Sequence, residues 1–379
     1  MTAPRSWSHL SPGDIEAALA WAEFRPWSAT MAGCEQDPVW HAEGDVWSHT
    51  QLVCRELPGV AGWHDLSPED QAACLMAAIF HDAGKPETTY VDPETGHVHA
   101  PKHAVVGAAL ARRELTALGC PTVLRERIVA LVRHHALPPR ILERDEPVRD
   151  VIRVSWLLDT QLLGIVARAD FRGRICHTTP VRSDDDFAIW DLICQEHGCH
   201  GRPFPFGNDQ ARFRYFRAPD FDRTHTPHEA YRCTVTMLCG LPAAGKDTWL
   251  ARHRLGLPVV SLDALREELD VDPTDDQGGI AQAAREACRE HLRARRDFAL
   301  SATNLTERIR GRWVNLFADY DARIEMVHLD VPLATALSRN RRRQRQVPEG
   351  VIRRLHDRIE PPTWLECHTL EIVATPEEP

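Results

Sequence analysis

The sequence predicts a multidomain chain in which an all-helical domain precedes an α/β domain built on a parallel sheet. Three observations carry this. Before about residue 230, apolar residues recur at helical spacing and no strand-type alternation of any length is found. After it, short β-rich runs alternate with helical stretches, the pattern of strands joined by crossover helices. Between the first of those runs and a helix stands Gly240-Leu-Pro-Ala-Ala-Gly-Lys246. A chain of 379 residues also exceeds what one typical hydrophobic core serves.

Helices are expected over Asp14 to Trp27, Gln71 to Phe80, 104–118 and 123–133, with Gly84 and Gly119 as stops. Val91-Asp-Pro-Glu-Thr-Gly96 reads as a turn. These segments set the first domain at 1–180. Residues 181–231 carry the aspartates at 184–186 and Pro203-Phe-Pro-Phe-Gly207, and read as a connector. Its aromatic residues argue that it is ordered. The second domain, 232–379, takes its strands from 234–238, 258–262, 298–301, 324–329 and 369–373, giving three layers.

Hydrophobic residues make up 43% and charged residues 26%, an ordinary globular balance. No apolar run reaches the ~18 residues of a membrane span, and the N-terminus does not read as a signal peptide. A cytoplasmic protein with no membrane partner is expected. The eleven cysteines, none spaced Cys-x-x-Cys, suit a reduced compartment. Cys194, His197, Cys199 and His200 crowd too closely for the usual structural zinc site, and a turn with buried thiols is the plainer expectation. The net charge of −10 advertises no nucleic-acid surface, although Arg339, Arg341, Arg342, Arg343 and Arg345 concentrate positive charge locally.

The glycines at 240 and 245, with Ala244 between them, let backbone N–H groups turn toward phosphates at a helix N-terminus. Lys246 neutralises charge that develops during transfer. A nucleoside triphosphate, ATP or another, with Mg2+ is the implied cofactor. Asp247 occupies the place where a hydroxyl normally meets magnesium, and the hydroxyl follows as Thr248. At the end of the second strand, Asp263 could take the proton of an attacking hydroxyl and Arg266 could hold an acceptor phosphate. The plain alternative is an N-cap aspartate with a solvated arginine. Arg339 and Arg343, with Arg342 in reserve, are candidates to close over the phosphates.

The first half carries a ladder of His49, His81-Asp82, His103, His134-His135 and Asp170. Imidazole and carboxylate ligands suit divalent transition metals, and Asp82 could bridge two ions.

The C-terminal motifs resemble phage-type polynucleotide 5′-hydroxyl kinases, on Gly240 to Thr248, Asp263-x-x-Arg266, Ala302-Thr-Asn-Leu305 and Arg339-Asn340. That resemblance makes Asp263 the general base, Arg266 the contact to a nucleic-acid 3′ phosphate and Arg343 a lid arginine. The ladder, with Gly84-Lys85 and Ala169-Asp170-x-x-Gly173-Arg174, resembles HD-type phosphohydrolases. It implies His49, His81, Asp82 and Asp170 as ligands of one ion, and His103, His134 and His135 as candidates for a second. Lys85 would meet a substrate phosphate or merely cap a helix end. Together the halves resemble bacterial bifunctional HD-domain polynucleotide kinases. The implied work is healing of RNA or DNA ends: phosphorylation of a 5′-hydroxyl and removal of a 3′, 2′ or 2′,3′-cyclic phosphate, ahead of a separate ligase. A small-molecule kinase fused to a nucleotide hydrolase, and a nucleotide-sensing module, are the rival expectations.

Overall fold

The computed structural model describes residues 7, 14–176, 184–270 and 278–374, and the chain divides into two compact units, 1–205 and 206–379.

The first unit is helical. Asp14 caps α1 (Ile15–Glu23), which stops before Pro26 and gives way to α2 (Pro26–Ala32). The single helix expected over Asp14 to Trp27 is therefore two, because proline at the first position of α2 starts a new helix rather than continuing the old one. Asp45 caps α3 (Val46–Glu56), and Ser67 caps α4 (Pro68–Phe80). Residues 72–80 of α4 are buried throughout, the mark of a central helix. Trp21 and Trp27 pack their rings on Phe80 at 6.3 and 4.9 Å.

Past α4 come a tight turn at 81–84, α5 (Lys85–Thr88) and a hairpin of two-residue strands, β1 (Tyr90–Val91) and β2 (Val98–His99). The hairpin corrects the expectation of no strands before residue 230. The Asp92–Gly96 turn that the sequence announced joins its two strands. There follow α6 (His103–Ala117), α7 (Thr122–His134), α8 (Pro147–Ser155), α9 (Thr160–Arg172) and α10 (Asp184–Glu196). Gly119, at φ +75°, ends α6 as expected.

Gly84 is no helix stop. A Cβ there would lie 2.1 Å from the His103 carbonyl oxygen and 2.6 Å from the Gly107 nitrogen. The missing side chain lets the start of α6 lie directly on the 81–84 turn. Gly84→Ala is expected to destabilise this unit by about 1–3 kcal/mol, because both obstacles are backbone. Its thermal transition, followed by calorimetry, should fall by roughly 2–4 °C per kcal/mol.

The stretch expected as a connector, 181–231, belongs to neither side as a linker. Its residues 184–205 pack into the first unit: Trp190 Nε1 donates to the Thr160 carbonyl at 3.2 Å, and Phe204 N to Ser155 Oγ at 3.0 Å. Residues 206–231 belong to the second, where α11 (Asp209–Arg217) donates from Arg212 to the Cys367 and His368 carbonyls. The aromatic content that argued for order reflects this packing. Residues 177–183, at the expected boundary, lie outside the described part.

The second unit holds β3 (Cys233–Cys239), α12 (Lys246–His253), β4 (Val259–Ser261), α13 (Leu262–Glu268), α14 (Gly278–Arg293), β5 (Phe298–Ser301), α15 (Glu307–Ala318), β6 (Ala322–Asp330), α16 (Leu333–Arg341), α17 (Glu349–His356) and β7 (Thr369–Ala374). The strands form one parallel sheet in the order β4-β5-β3-β6-β7. Alternate residues of β3 feed two cores: Val235 and Met237 enter one with Phe298 and Phe317, and Leu238 enters the other with Leu250 and Leu329. A sheet covered on both faces needs apolar side chains on both, which is why these strands read as continuous apolar runs. The central strand β3 delivers its C-terminal end to the phosphate-loop sequence.

Candidate functional sites

Five elements of the first unit converge on one cluster. His49 lies on α3, His81 and Asp82 in the turn after α4, His135 just past α7, and Asp170 on α9; His103 opens α6. His49, His81 and Asp82 are essentially inaccessible, and His135 and Asp170 nearly so. Three imidazoles are oriented alike. His81, His103 and His135 each place Nδ1 2.7–2.8 Å from the carbonyl three residues earlier, at Ala78, Ala100 and Val132. A ring whose Nδ1–H is committed to a carbonyl turns its Nε2 lone pair outward, the tautomer that binds a metal.

Those Nε2 atoms face one another and the two aspartates. His103 Nε2 is 3.4 Å from His135 Nε2 and 3.3 Å from Asp82 Oδ1. His81 Nε2 is 3.2 Å from Asp82 Oδ2, and it is buried with no hydrogen-bond partner. His49 Nε2 is 3.1 Å from Asp170 Oδ1. Two sets of donors each fall within 4.8 Å of one another: His49, His81 and Asp170, and Asp82, His103 and His135. Lone pairs brought this close, with an orphaned imidazole nitrogen among them, fit divalent cations of the kind that nitrogen and carboxylate ligands prefer.

The electrostatics agree. Burial would raise Asp82 and Asp170, but His81 and Lys85 hold the first well below the usual carboxylate range, and Arg174 and His49 do the same for the second. Burial would lower His81, yet Asp82 and Asp170 more than offset it and raise it, so the pocket favours positive charge. Burial, aided by His81 and His103, pushes His135 down to about 3 and keeps it neutral.

His134 does not join its neighbour. Burial, with Arg133 and Arg153, lowers it to about 4, and it belongs to neither donor set. Consecutive residues at a helix end project about 100° apart, so only one of the pair can face the cluster. Lys85 has a closer task than capping: its Nζ is 2.6 Å from Asp82 Oδ2 and donates to Gln36 Oε1 at 2.6 Å.

The sequence marked Arg174 and the residues before His49 as flanks of the ladder but assigned the supporting groups no task. Glu43 Oε1 sits 2.8 Å from His49 Nδ1 and equally 2.8 Å from His41 Nδ1. Glu43 also accepts the Ile175 N–H at 2.9 Å, and Arg174 grips both oxygens of Asp170. The only signal was local: His41 and Glu43 stand just before the Asp45 cap of the helix that carries His49. Glu43→Gln is expected to weaken metal binding by about 10–100-fold, the usual cost of losing an outer partner of a ligating histidine. Titration with Mn2+ or Zn2+ followed by calorimetry reads this without any substrate.

The cluster opens into a cleft of about 640 Å³, lined in part by Trp40, Lys85, Tyr90, His99, Lys102 and Arg174. The Cys194–His200 segment is a turn with both thiols buried, and Cys199 N–H bonds the Cys194 carbonyl at 2.8 Å.

In the second unit the loop after β3 has the backbone its sequence requires. Gly240, Ala243 and Gly245 take φ of +149°, +62° and +97°, and a Cβ on Gly240 would meet the Leu329 carbonyl at 2.8 Å. Lys246, 8% exposed, donates to the Gly240 and Leu241 carbonyls at 3.2 and 2.9 Å, curling back over the loop. Burial lowers it from its ordinary value, against Asp263 and Asp247. Asp247 and Thr248 are exposed, and Ser301 Oγ donates to Asp247 Oδ1 at 3.2 Å.

A cleft of about 580 Å³ collects Lys246, Asp247, Thr248, Asp263, Arg339 and Arg343, together with Ala244 and Gly245. Arg339 Nη1 also donates to the Ala244 carbonyl at 3.4 Å. Asp263 is not an N-cap: Ser261 caps α13 by accepting the Ala264 N–H at 3.3 Å. The Asp263 carboxylate is 67% exposed and ion-paired with Arg266. Arg341 turns away to Glu349 at 2.7 Å and Arg345 to Glu267 at 3.6 Å. Trp249, Arg252 and His253 also line the cleft, which only their place on the helix after the loop could have suggested.

Comparison with known proteins divides the chain in the same way. Residues 45–170 match the HD domain family model, and residues 235–362 match an AAA domain model. The CC-adding tRNA nucleotidyltransferase of Thermus thermophilus is 38% identical over 112 residues, 30% of this chain and 24% of that protein. The A-adding tRNA nucleotidyltransferase of Deinococcus radiodurans is 38% identical over 80 residues, 20% of this chain and 18% of that protein. The chain thus spans about a quarter or less of the length of these curated relatives. Among solved structures, a sugar kinase from Janibacter sp. is 16% identical over 38% of this chain and 85% of its own, with a TM-score of 0.31. A Pnkp1/Rnl/Hen1 complex gives 21% identity, 33% and 43% coverage and a TM-score of 0.27. No helix among the described residues is long and apolar enough to cross a membrane. The chain carries a helical unit that matches the HD domain model, followed by a P-loop α/β unit that matches the AAA domain model and is built on a five-stranded parallel sheet.

Proposed function

We propose that the protein heals the ends of broken polynucleotides, phosphorylating a 5′-hydroxyl in the second unit and removing a 3′, 2′ or 2′,3′-cyclic phosphate in the first. The observation that carries this reading is the exposed Asp263, which lines the cleft beside the phosphate loop and is ion-paired with the half-buried Arg266. Asp263 would accept the proton of the attacking hydroxyl. Arg266 would exchange its present carboxylate partner for the phosphate on the 3′ side of the terminal nucleoside. A sugar substrate has no such phosphate, so a guanidinium one turn from the base suits a polynucleotide end better.

On the donor side the loop N–H groups would receive the β- and γ-phosphates of a nucleoside triphosphate. Lys246 would leave its carbonyl partners to neutralise the transferring group, with Arg339 and Arg343 over it. Asp247 would be at hand to hold magnesium, which would supply positive charge to the phosphates. In the first unit, divalent cations held by His49, His81, Asp170, Asp82, His103 and His135 would supply an activated water and charge for the leaving oxygen. Lys85 and Arg174 would orient the phosphate that enters the cleft. That both curated relatives are named for work on tRNA supports a nucleic-acid substrate.

The test is direct. The protein should move labelled γ-phosphate from ATP to a 5′-hydroxyl oligonucleotide, and should release or open the phosphate of a 2′,3′-cyclic-phosphate end. Transfer to small sugars with none to the oligonucleotide would replace this reading by a small-molecule kinase.

A further inference from the structure

We propose that the β1–β2 hairpin forms a nucleobase platform in the HD cleft, on which the terminal base of a 3′-phosphorylated strand stacks while its phosphate reaches the cluster. The proposal deepens the end-healing reading and rests on it.

Tyr90 and His99 are cross-strand partners whose rings lie 5.6 Å apart at 36°. Both line the cleft that contains Asp82, His103, His135 and Asp170, and Tyr90 is 50% exposed. A half-exposed aromatic pair usually has the plain task of stapling a short hairpin. Here other bonds already hold it. Asp37 faces His97 Nδ1 at 2.7 Å and accepts the Val98 N–H at 3.3 Å, and Asp92 accepts the Glu94 and Thr95 N–H groups at 2.8 and 3.1 Å. The rings are thus left with a face to offer a ligand.

The hairpin is also tied to the cluster by the chain itself. Tyr90 follows Lys85 by five residues, and His99 precedes His103 by four, a separation of at most about 14 Å even if fully extended. Trp40 adds a second aromatic wall, and Lys102 and Arg140 place cations in the same cleft. Lys102 holds φ +61°, an uncommon conformation for a side chain of its size. Aromatic rings interleaved with cations, beside a site for one phosphate, suit a single-stranded nucleotide. Every base has a π-face to stack, and the backbone needs positive charge.

The full-length protein would be assayed on two phosphatase substrates, a 3′-phosphorylated oligonucleotide and p-nitrophenyl phosphate, which lacks a nucleobase. Tyr90→Ala should raise KM for the oligonucleotide by about 5- to 100-fold, the range of one lost base stack, and should raise KM for the small ester by far less. Tyr90→Phe should restore the oligonucleotide KM, because stacking does not use the hydroxyl. An oligonucleotide ending in 2-aminopurine should lose fluorescence on binding the native protein but not Tyr90→Ala, and His99→Ala should act in the same direction. Equal KM changes on both substrates, or none on either, would overturn the platform. Native protein that cleaves only the small ester would instead defeat the end-healing reading.

Discussion

Asp82→Asn is expected to lower phosphate release in the HD unit by on the order of 10³-fold or more, since even an outer partner of a metal ligand is worth about 10–100-fold. Asp82 touches more of the cluster than any other residue. One oxygen faces His103 and His135 at 3.3 and 4.0 Å, and the other faces His81 at 3.2 Å and Lys85 at 2.6 Å. Asparagine keeps the shape but removes the charge, and an amide nitrogen would point a donor where cation ligands must present lone pairs. The Lys85 ammonium, with its side chain only 14% exposed, would then stand beside the orphaned site as an uncompensated charge. Two measurements separate this from unfolding. Bound metal, read by elemental analysis, should drop with the activity. ATP-dependent labelling of a 5′-hydroxyl oligonucleotide should persist, because Asp82 and the kinase machinery belong to different units. Release within tenfold of the native rate by folded Asp82→Asn would remove Asp82 from the metal site.

The same cluster marks how far the sequence could be read. His49, His81, Asp82 and Asp170 were legible because they sit at helix ends with recognisable flanks. The five strands were legible because a sheet covered on both faces demands apolar runs. What escaped depended on direction and distance rather than residue type. His134 and His135 are neighbours in sequence, and only the turn of the helix sends one into the cluster and leaves the other out of it. Gly84 reads as punctuation, yet its role is contact with His103 and Gly107, residues far along the chain. The hairpin strands are two residues long, too short for any alternation to show. Asp263 had the N-cap of a strand-to-helix turn as its plain alternative, and only the Ser261 hydroxyl bonded to Ala264 N–H frees it from that task.

That freedom makes Asp263→Asn the sharpest test of the second unit. It is expected to lower kcat for 5′-hydroxyl phosphorylation by about 10²–10⁴-fold, the usual contribution of a positioned general base. KM for ATP should change little, because the loop N–H groups, Lys246, Arg339 and Arg343, which we propose for the nucleotide phosphates, are untouched. Lys246→Ala should show the opposite pattern, weakening ATP binding together with turnover, since it removes charge that meets the triphosphate before and during transfer. Asp263 is exposed, so replacing it leaves no buried group unpaired, and the fold should be preserved. Arg266 loses its carboxylate partner in the variant. If Arg266 serves the acceptor, KM for the oligonucleotide should change little while kcat collapses. A variant that still phosphorylates the oligonucleotide at the native rate would leave Asp263 a surface ion pair, and the proton would have to leave by another route. Loss of kcat with ATP binding intact would instead identify the carboxylate as the acceptor-side group that turns a triphosphate-binding loop into a kinase.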